Sequence, residues 1–145
     1  MHIFQTLYHE LVLTNRTFEA QLNAILQQQG IHRSDWSVLY YLILDDQLTS
    51  VEIAKLLGIE KPNVTRIMKN LVSIGYARVE PSHEDKRKKR LLITDEGRKM
   101  YAEVRTYVDR FEMESMTGID AEQQQMFIET LNQIQQNLIK RAGDK

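Results

Sequence analysis

Asn63, Thr65, Arg66, Lys69 and Asn70 recur between Lys61 and Ser73 at positions that leave Val64, Ile67, Met68, Leu71 and Val72 on the opposite side of a helix. Each outward type can read a base edge: Arg pairs bidentately with guanine, Asn with adenine, and a Thr methyl meets a thymine methyl. Side-chain type carries no groove information by itself, and any surface helix can hold such residues. Further on, Lys86, Arg87, Lys88 and Lys89 stand in an unbroken run. A loop built this way is costly to fold against anything but water or phosphate, so it is either solvated or meets DNA. Asp85 is close enough in sequence to brace Arg87 and pre-aim it into a narrow minor groove, where the negative potential is deepest. The chemistry on offer is non-covalent recognition of double-stranded DNA.

Charge distribution bears on that reading more than net charge does. The 145 residues carry 19 Lys plus Arg against 20 Asp plus Glu, a net −1. Between Lys61 and Arg90, however, nine basic residues face three acidic ones, a local +6 that leaves −7 for the remainder. A basic patch therefore rides on an acidic body. No nucleophile, acid–base pair or metal set converges, so the chain does not read as an enzyme and calls for no cofactor. Cysteine is absent, which excludes disulfides and thiolate chemistry. His2, His9, His32 and His83 are scattered without paired ligand spacing, so no metal is expected and each reads as a surface or capping residue. The start lacks the unbroken apolar run of a secretory signal, and nowhere do eighteen apolar residues stand together. A soluble, cytoplasmic protein with no membrane partner is the expectation.

The elements that must position these side chains follow from apolar spacing. The first 29 residues place Ile3, Phe4, Leu7, Tyr8, Leu11 and Val12, then Phe18, Leu22, Ile25 and Leu26, at helical steps before Gly30. A second helix spans Ser34 to Leu44, with Trp36, Leu39, Tyr40, Ile43 and Leu44 as its apolar set. T-S-V-E opens a third as a capping box, in which the Glu52 carboxylate reaches back to the Thr49 N–H. Ile53, Ala54, Leu56 and Leu57 are its buried stripe and Gly58 its stop. Such a short helix, closed by a glycine and a few residues, is the join a helix-turn-helix requires. The fourth helix runs from about Lys61 to Ser73; Pro62 suits its first turn, while Glu60 and Lys61 make a weak cap. Y-A-R-V-E and R-L-L-I flank the basic run as a β-hairpin. Thr94 caps a helix reaching about Met116, and Asp120 with Gln123 caps a last one whose stripe is Met126, Phe127, Leu131, Ile134, Leu138 and Ile139.

The fold class is thus mainly α with a small β-hairpin, a winged helix-turn-helix flanked by N- and C-terminal dimerisation helices. Its core is expected within Leu39 to Ile93, leaving the terminal stripes to pack across a two-fold axis; the competing account is an intramolecular helical cap on a monomer. Residues 1–30 and 117–145 are assigned to dimerisation, 31–97 to DNA binding and 98–116 to a linking helix. In a dimer, Arg66 and its mate should stand about one helical turn of DNA apart, near 34 Å.

L-T-S-V-E-I-A-K-L-L-G, V-T-R-I-M-K-N-L, the I-G-Y join, E-D-K-R with its D-x-R core, and L-I-T-D-E-G-R together resemble the MarR family of bacterial transcriptional regulators. The likeness is specific in the central fifty residues and extends over the whole chain in the order of elements. It implies a dimeric, mostly helical repressor whose two winged modules bind a pseudo-palindromic operator. It also implies release from DNA by a small lipophilic or phenolic effector bound between the dimer helices and the DNA-binding lobe. Residue by residue, the resemblance places Asn63, Thr65, Arg66 and Lys69 in the major groove and Arg87, supported by Asp85, in the minor groove. Ser50, Lys61, Lys86 and Lys88 would be phosphate contacts. An effector pocket would be built from Phe18, Trp36, Tyr40 and Tyr41, aromatics that serve equally as plain core. Lack of cysteine separates this chain from the thiol-based peroxide sensors of that family, and the scattered histidines from its zinc sensors. Two other classes stay open on the residues alone: a winged-helix protein-interaction module, and a DNA architectural protein without base selectivity.

Overall fold

The computed structural model describes residues 1–144. In chain order these form α1 (Ile3–Gln28), α2 (Arg33–Leu44), α3 (Ser50–Leu57), α4 (Lys61–Ser73), β1 (Ala77–Pro81), β2 (Lys89–Ile93), α5 (Asp95–Ser115) and α6 (Ala121–Gly143). They divide into two compact units, Met1–Asp109 and Arg110–Lys145, with α5 running across the division. No helix among the described residues is long and apolar enough to cross a membrane.

The first unit is built around α2, whose Val38, Leu39 and Leu42 are almost wholly buried. Leu26 of α1, Ile53 of α3, Val64 and Leu71 of α4, Leu91 of β2 and Val108 of α5 close around them. This core reaches well beyond the Leu39–Ile93 stretch expected from the sequence. Helices of 8 and 13 residues with a two-stranded hairpin have too little inward surface to enclose a core alone. The end of α1 and the start of α5 supply the missing walls. There Trp36 stacks on Tyr101 with ring centroids 4.3 Å apart. α1 therefore has two characters: Leu22 and Leu26 are core, while Ile3, Phe4, Leu7, Tyr8 and Val12 lie exposed.

Several apolar positions assigned inward point outward. Leu56 (49% exposed), Val72 (43%), Tyr40 (43%) and Leu44 (64%) flank their helices' buried faces rather than occupy them. In each helix the buried set already fills the arc that meets the neighbours: Ile53 and Ala54 in α3, Val64, Ile67, Met68 and Leu71 in α4, and Trp36, Leu39 and Leu42 in α2.

β1 and β2 pair antiparallel in register from Ala77 opposite Ile93 to Pro81 opposite Lys89. A third segment adds to the edge of β2, where the Leu91 N–H donates to the Leu48 carbonyl at 3.0 Å and Thr49 bridges Arg90. Thr94 then knots the hairpin to α5. Its hydroxyl accepts from the Gly97 N–H at 3.0 Å and donates to the Gly75 carbonyl at 2.6 Å, while its own N–H donates to the Tyr76 carbonyl at 3.1 Å. Gly75, with φ +87°, supplies the left-handed step that brings these carbonyls round.

In the second unit, the Asp120–Gln123 capping box forms in both directions, at 2.8 and 3.1 Å. α6 buries none of its residues; Met126, Phe127, Leu138 and Ile139 are exposed, and Leu131 and Ile134 half-buried.

Candidate nucleic-acid interface

α3 begins at a cap that differs from the expected box. The Glu52 N–H donates to Thr49 Oγ1 at 3.4 Å, but the Glu52 carboxylate accepts from the Thr49 hydroxyl at 3.1 Å rather than from its backbone N–H. Thr49 is at the same time the residue that bridges β2, so its backbone runs beside the hairpin and its hydroxyl is what faces Glu52. Ser50, the first residue of α3, is half-buried. At the other end Gly58 adopts φ +66°, and the Ile59 N–H returns to the Ala54 carbonyl at 3.1 Å. This left-handed closure turns the chain within a few residues into α4.

α4 starts without a side-chain cap, as the Glu60–Lys61 pair implied, and carries Pro62 in its first turn. Val64, Ile67, Met68 and Leu71 bury one face, leaving Lys61, Asn63, Thr65, Arg66 and Lys69 exposed. Lys61, Arg66 and Lys69 form no ion pair among the described residues. The Thr65 hydroxyl donates to the Lys61 carbonyl at 3.2 Å. Asn70 is not a free reader: its Nδ2 donates at 3.0 Å to Oδ2 of Asp35, a carboxylate of α2 that is only 4% exposed. That bond ties α4 to the central helix, and nothing in the sequence around Asp35 singled it out.

At the wing tip Asp85 organises the turn. Its carbonyl accepts the Lys88 N–H at 2.9 Å, and its Oδ1 accepts the Arg87 backbone N–H at 3.0 Å. The Arg87 guanidinium then grips the same carboxylate, Nε to Oδ1 at 3.2 Å and Nη2 to Oδ2 at 3.4 Å. These hydrogen bonds hold the Asp85 carboxyl below its ordinary value. The brace expected from D-x-R is present, with 90% of the Arg87 side chain in solvent. Lys86, Lys88 and Lys89 are exposed alongside it.

Two of the nine basic residues in the local patch have other work. Arg78 pairs with Glu80 at 3.1 Å, and Arg90, 8% exposed, donates to the same carboxylate at 3.0 Å and to the Asp46 carbonyl at 3.1 Å. Glu80 and Arg90 are directly opposite in the hairpin register, so their opposite charges were a legible cross-strand signal once the strands were aligned.

The four aromatics considered for an effector pocket sit in different settings. Trp36 is buried on Tyr101, Tyr40 lies edge-on to Tyr41 at 5.2 Å with Tyr40 exposed, and Tyr41 and Phe18 are half-buried. Among the described residues no group of three His, Asp or Glu side chains is arranged to hold a metal.

A short capped helix, a glycine turn, a second helix with an exposed cationic face and a hairpin with a basic tip define a winged helix-turn-helix protein. A family model described as MarR family matches residues 29–88. The Bacillus subtilis HTH-type transcriptional regulator YwoH is 32% identical over 126 residues, covering 87% of this chain and 91% of that protein. Among solved structures, Staphylococcus aureus MarR in complex with salicylate and kanamycin superposes with a TM-score of 0.83 at 28% identity, covering 95% of this chain and 93% of that one. The S. aureus MepR–DNA complex shares the fold, with a TM-score of 0.77 at 20% identity over 90% of this chain and 95% of the other. The chain belongs to the MarR family of transcriptional regulators.

Proposed function

We propose that this regulator acts in the cytoplasm as a homodimeric repressor that reads a pseudo-palindromic operator and is released by a small lipophilic or phenolic effector. The observation that carries the DNA-reading role is the set of unpaired cations on α4, Lys61, Arg66 and Lys69, together with a wing tip where Asp85 pre-aims an otherwise solvated Arg87. In this reading Asn63, Thr65, Arg66 and Lys69 meet base edges and Arg87 enters the minor groove. Ser50, Lys61, Lys86 and Lys88 hold phosphates. MepR, solved with DNA, supports the role by likeness of fold.

Dimerisation is supported by apolar side chains exposed on both terminal helices, Ile3, Phe4 and Leu7 on α1 and Phe127, Leu138 and Ile139 on α6. An exposed set of this size is a partner surface rather than ordinary scatter. Residues 1–30 and 117–145 are the dimer-forming parts of this proposal, 31–97 the reader and 98–116 the link. The effector role draws on S. aureus MarR, solved with salicylate, with Phe18, Trp36, Tyr40 and Tyr41 as the residues that would line its site.

The test is to select bound fragments from genomic DNA and titrate a selected duplex against random duplex at fixed salt. A regulator binds the selected site at least ~10³-fold tighter. Equal affinities would leave an architectural protein, and no binding at all a protein-interaction module.

A further inference from the structure

Arg90 belongs by sequence to the wing's run of cations, yet it is the one member of that run turned into the fold. Its guanidinium fork joins three segments. Nη2 donates to Glu80 Oε2 on β1 at 3.0 Å, Nη1 donates to the Asp46 carbonyl in the loop ahead of α3 at 3.1 Å, and the backbone of β2 carries it beside Thr49, the cap of α3. The third guanidinium donor, Nε, is buried without a partner. A buried donor left unmade is a cost, so the position is held by its two bonds to different segments, a geometry that a planar fork satisfies and a single ammonium does not.

Beyond the backbone bond from the Leu91 N–H to the Leu48 carbonyl, no other wing side chain among the described residues bonds to the segment ahead of α3. Its tip stands across an open polar pocket of about 250 Å³, with Asp45, Thr49 and Glu52 on one side and Ser82, Asp85 and Lys88 on the other. The tip's placement relative to α3 is therefore set near the loop end of the ladder, where Arg90 sits opposite Glu80, one pair in from the turn.

We propose that Arg90 is the positioning residue of the wing. It fixes the distance between the tip cations Lys86, Arg87 and Lys88 and the α3 start at Ser50, and it serves DNA affinity through them without touching DNA. The inference rests on the DNA-reading role proposed above.

A double-mutant cycle on the full-length protein tests it, with binding of the selected duplex followed by fluorescence anisotropy across a salt series. Arg90→Met should weaken the parent roughly tenfold, within the range of coupled residues. In a wing-stripped background (Lys86→Met, Arg87→Met, Lys88→Met) the same change should cost less than about twofold. The salt slope of Arg90→Met should also fall toward that of the wing-stripped protein, since a misplaced tip leaves several phosphates unneutralised together. An equal loss in both backgrounds would overturn the assignment, because a general folding defect or a direct phosphate contact is additive with the tip. Arg90→Lys and Glu80→Gln keep the polarity of the site should the methionine variant fold poorly. Both should show the same coupling in smaller measure, and full parental affinity in Arg90→Lys would also overturn the role of the fork. A parent that binds selected and random duplexes alike removes the DNA-reading role and this assignment with it. A selective parent with an additive cycle removes the assignment alone.

Discussion

Gly97 offers the sharpest check on how the hairpin is locked to α5. A Cβ built there would overlap the Tyr76 carbonyl oxygen and lie 2.8 Å from Ile93 Cγ1 and 3.1 Å from the Tyr76 carbonyl carbon. Two of these are backbone atoms, and that backbone is held at both ends. The Tyr76 carbonyl accepts the Thr94 N–H at 3.1 Å, and the Tyr76 N–H donates to the Leu71 carbonyl at 2.9 Å. The obstacle is not a flexible side chain that can swing away. Overpacking of this kind sits toward the upper end of the usual range, about 3 kcal/mol. Alanine returns up to about 1 kcal/mol of helix propensity, so Gly97→Ala should destabilise by about 2 kcal/mol. For a chain of this size that lowers Tm by roughly 6 °C. The measurement is thermal melting by far-ultraviolet circular dichroism at fixed protomer concentration, because association also shifts Tm. Gly143→Ala, where an added Cβ meets nothing within 4 Å, is the control and should move stability by no more than about 0.5 kcal/mol. A Gly97→Ala protein that melts at or above the parent temperature would refute the close approach of α5 to Tyr76.

Three further outcomes follow from the residue roles. Arg66→Ala should weaken binding to the selected duplex by about 1 to 3 kcal/mol and random duplex far less; a uniform loss would reassign Arg66 to phosphate. Lys88→Met should lower the salt slope by about 1 for each phosphate that the lysine neutralises in the parent, and an unchanged slope would mean that the lysine is only solvated. Because the Asp85 carboxyl is held below its ordinary value by Arg87, the brace contributes fully above the ordinary carboxylate range and is lost only as pH falls through the depressed value. Asp85→Asn should therefore weaken binding by the same factor across roughly pH 5.5 to 8; a factor that drifts within that window would place the relevant titration elsewhere.

The elements were legible because their signals are local. Gly58, Thr94 and the Asp120–Gln123 pair act through bonds to residues a few positions away, and each stands where the sequence placed it. The D-x-R brace was legible for the same reason. What escaped was long-range. Asp35 and Asn70 are 35 positions apart, and Arg90 and Asp46 44 apart, so nothing in either neighbourhood marks them as partners. Tyr101 is hidden in the same way, since its stacking with Trp36 depends on how α5 returns to α2. The width of a buried face was also overstated by spacing alone. Periodicity counts every apolar residue on an arc, whereas only packing decides that Val64 and Leu71 are covered and Val72 is not.

The same distinction governs the basic patch. A count of nine cations against three acids treats them as interchangeable, but the hairpin register sorts them. Arg78 and Arg90 share Glu80 on the strands of the wing and Arg87 is braced, while Lys86, Lys88 and Lys89 remain exposed at and beside the tip. Positive charge available to a phosphate is thus concentrated at the loop and on α4, while Arg78 and Arg90 are taken up by Glu80. With −7 left on the rest of the chain, other faces oppose DNA, so the patch favours one docking orientation before any base is read. A near-neutral chain can in this way direct its approach to DNA as a uniformly basic one could not.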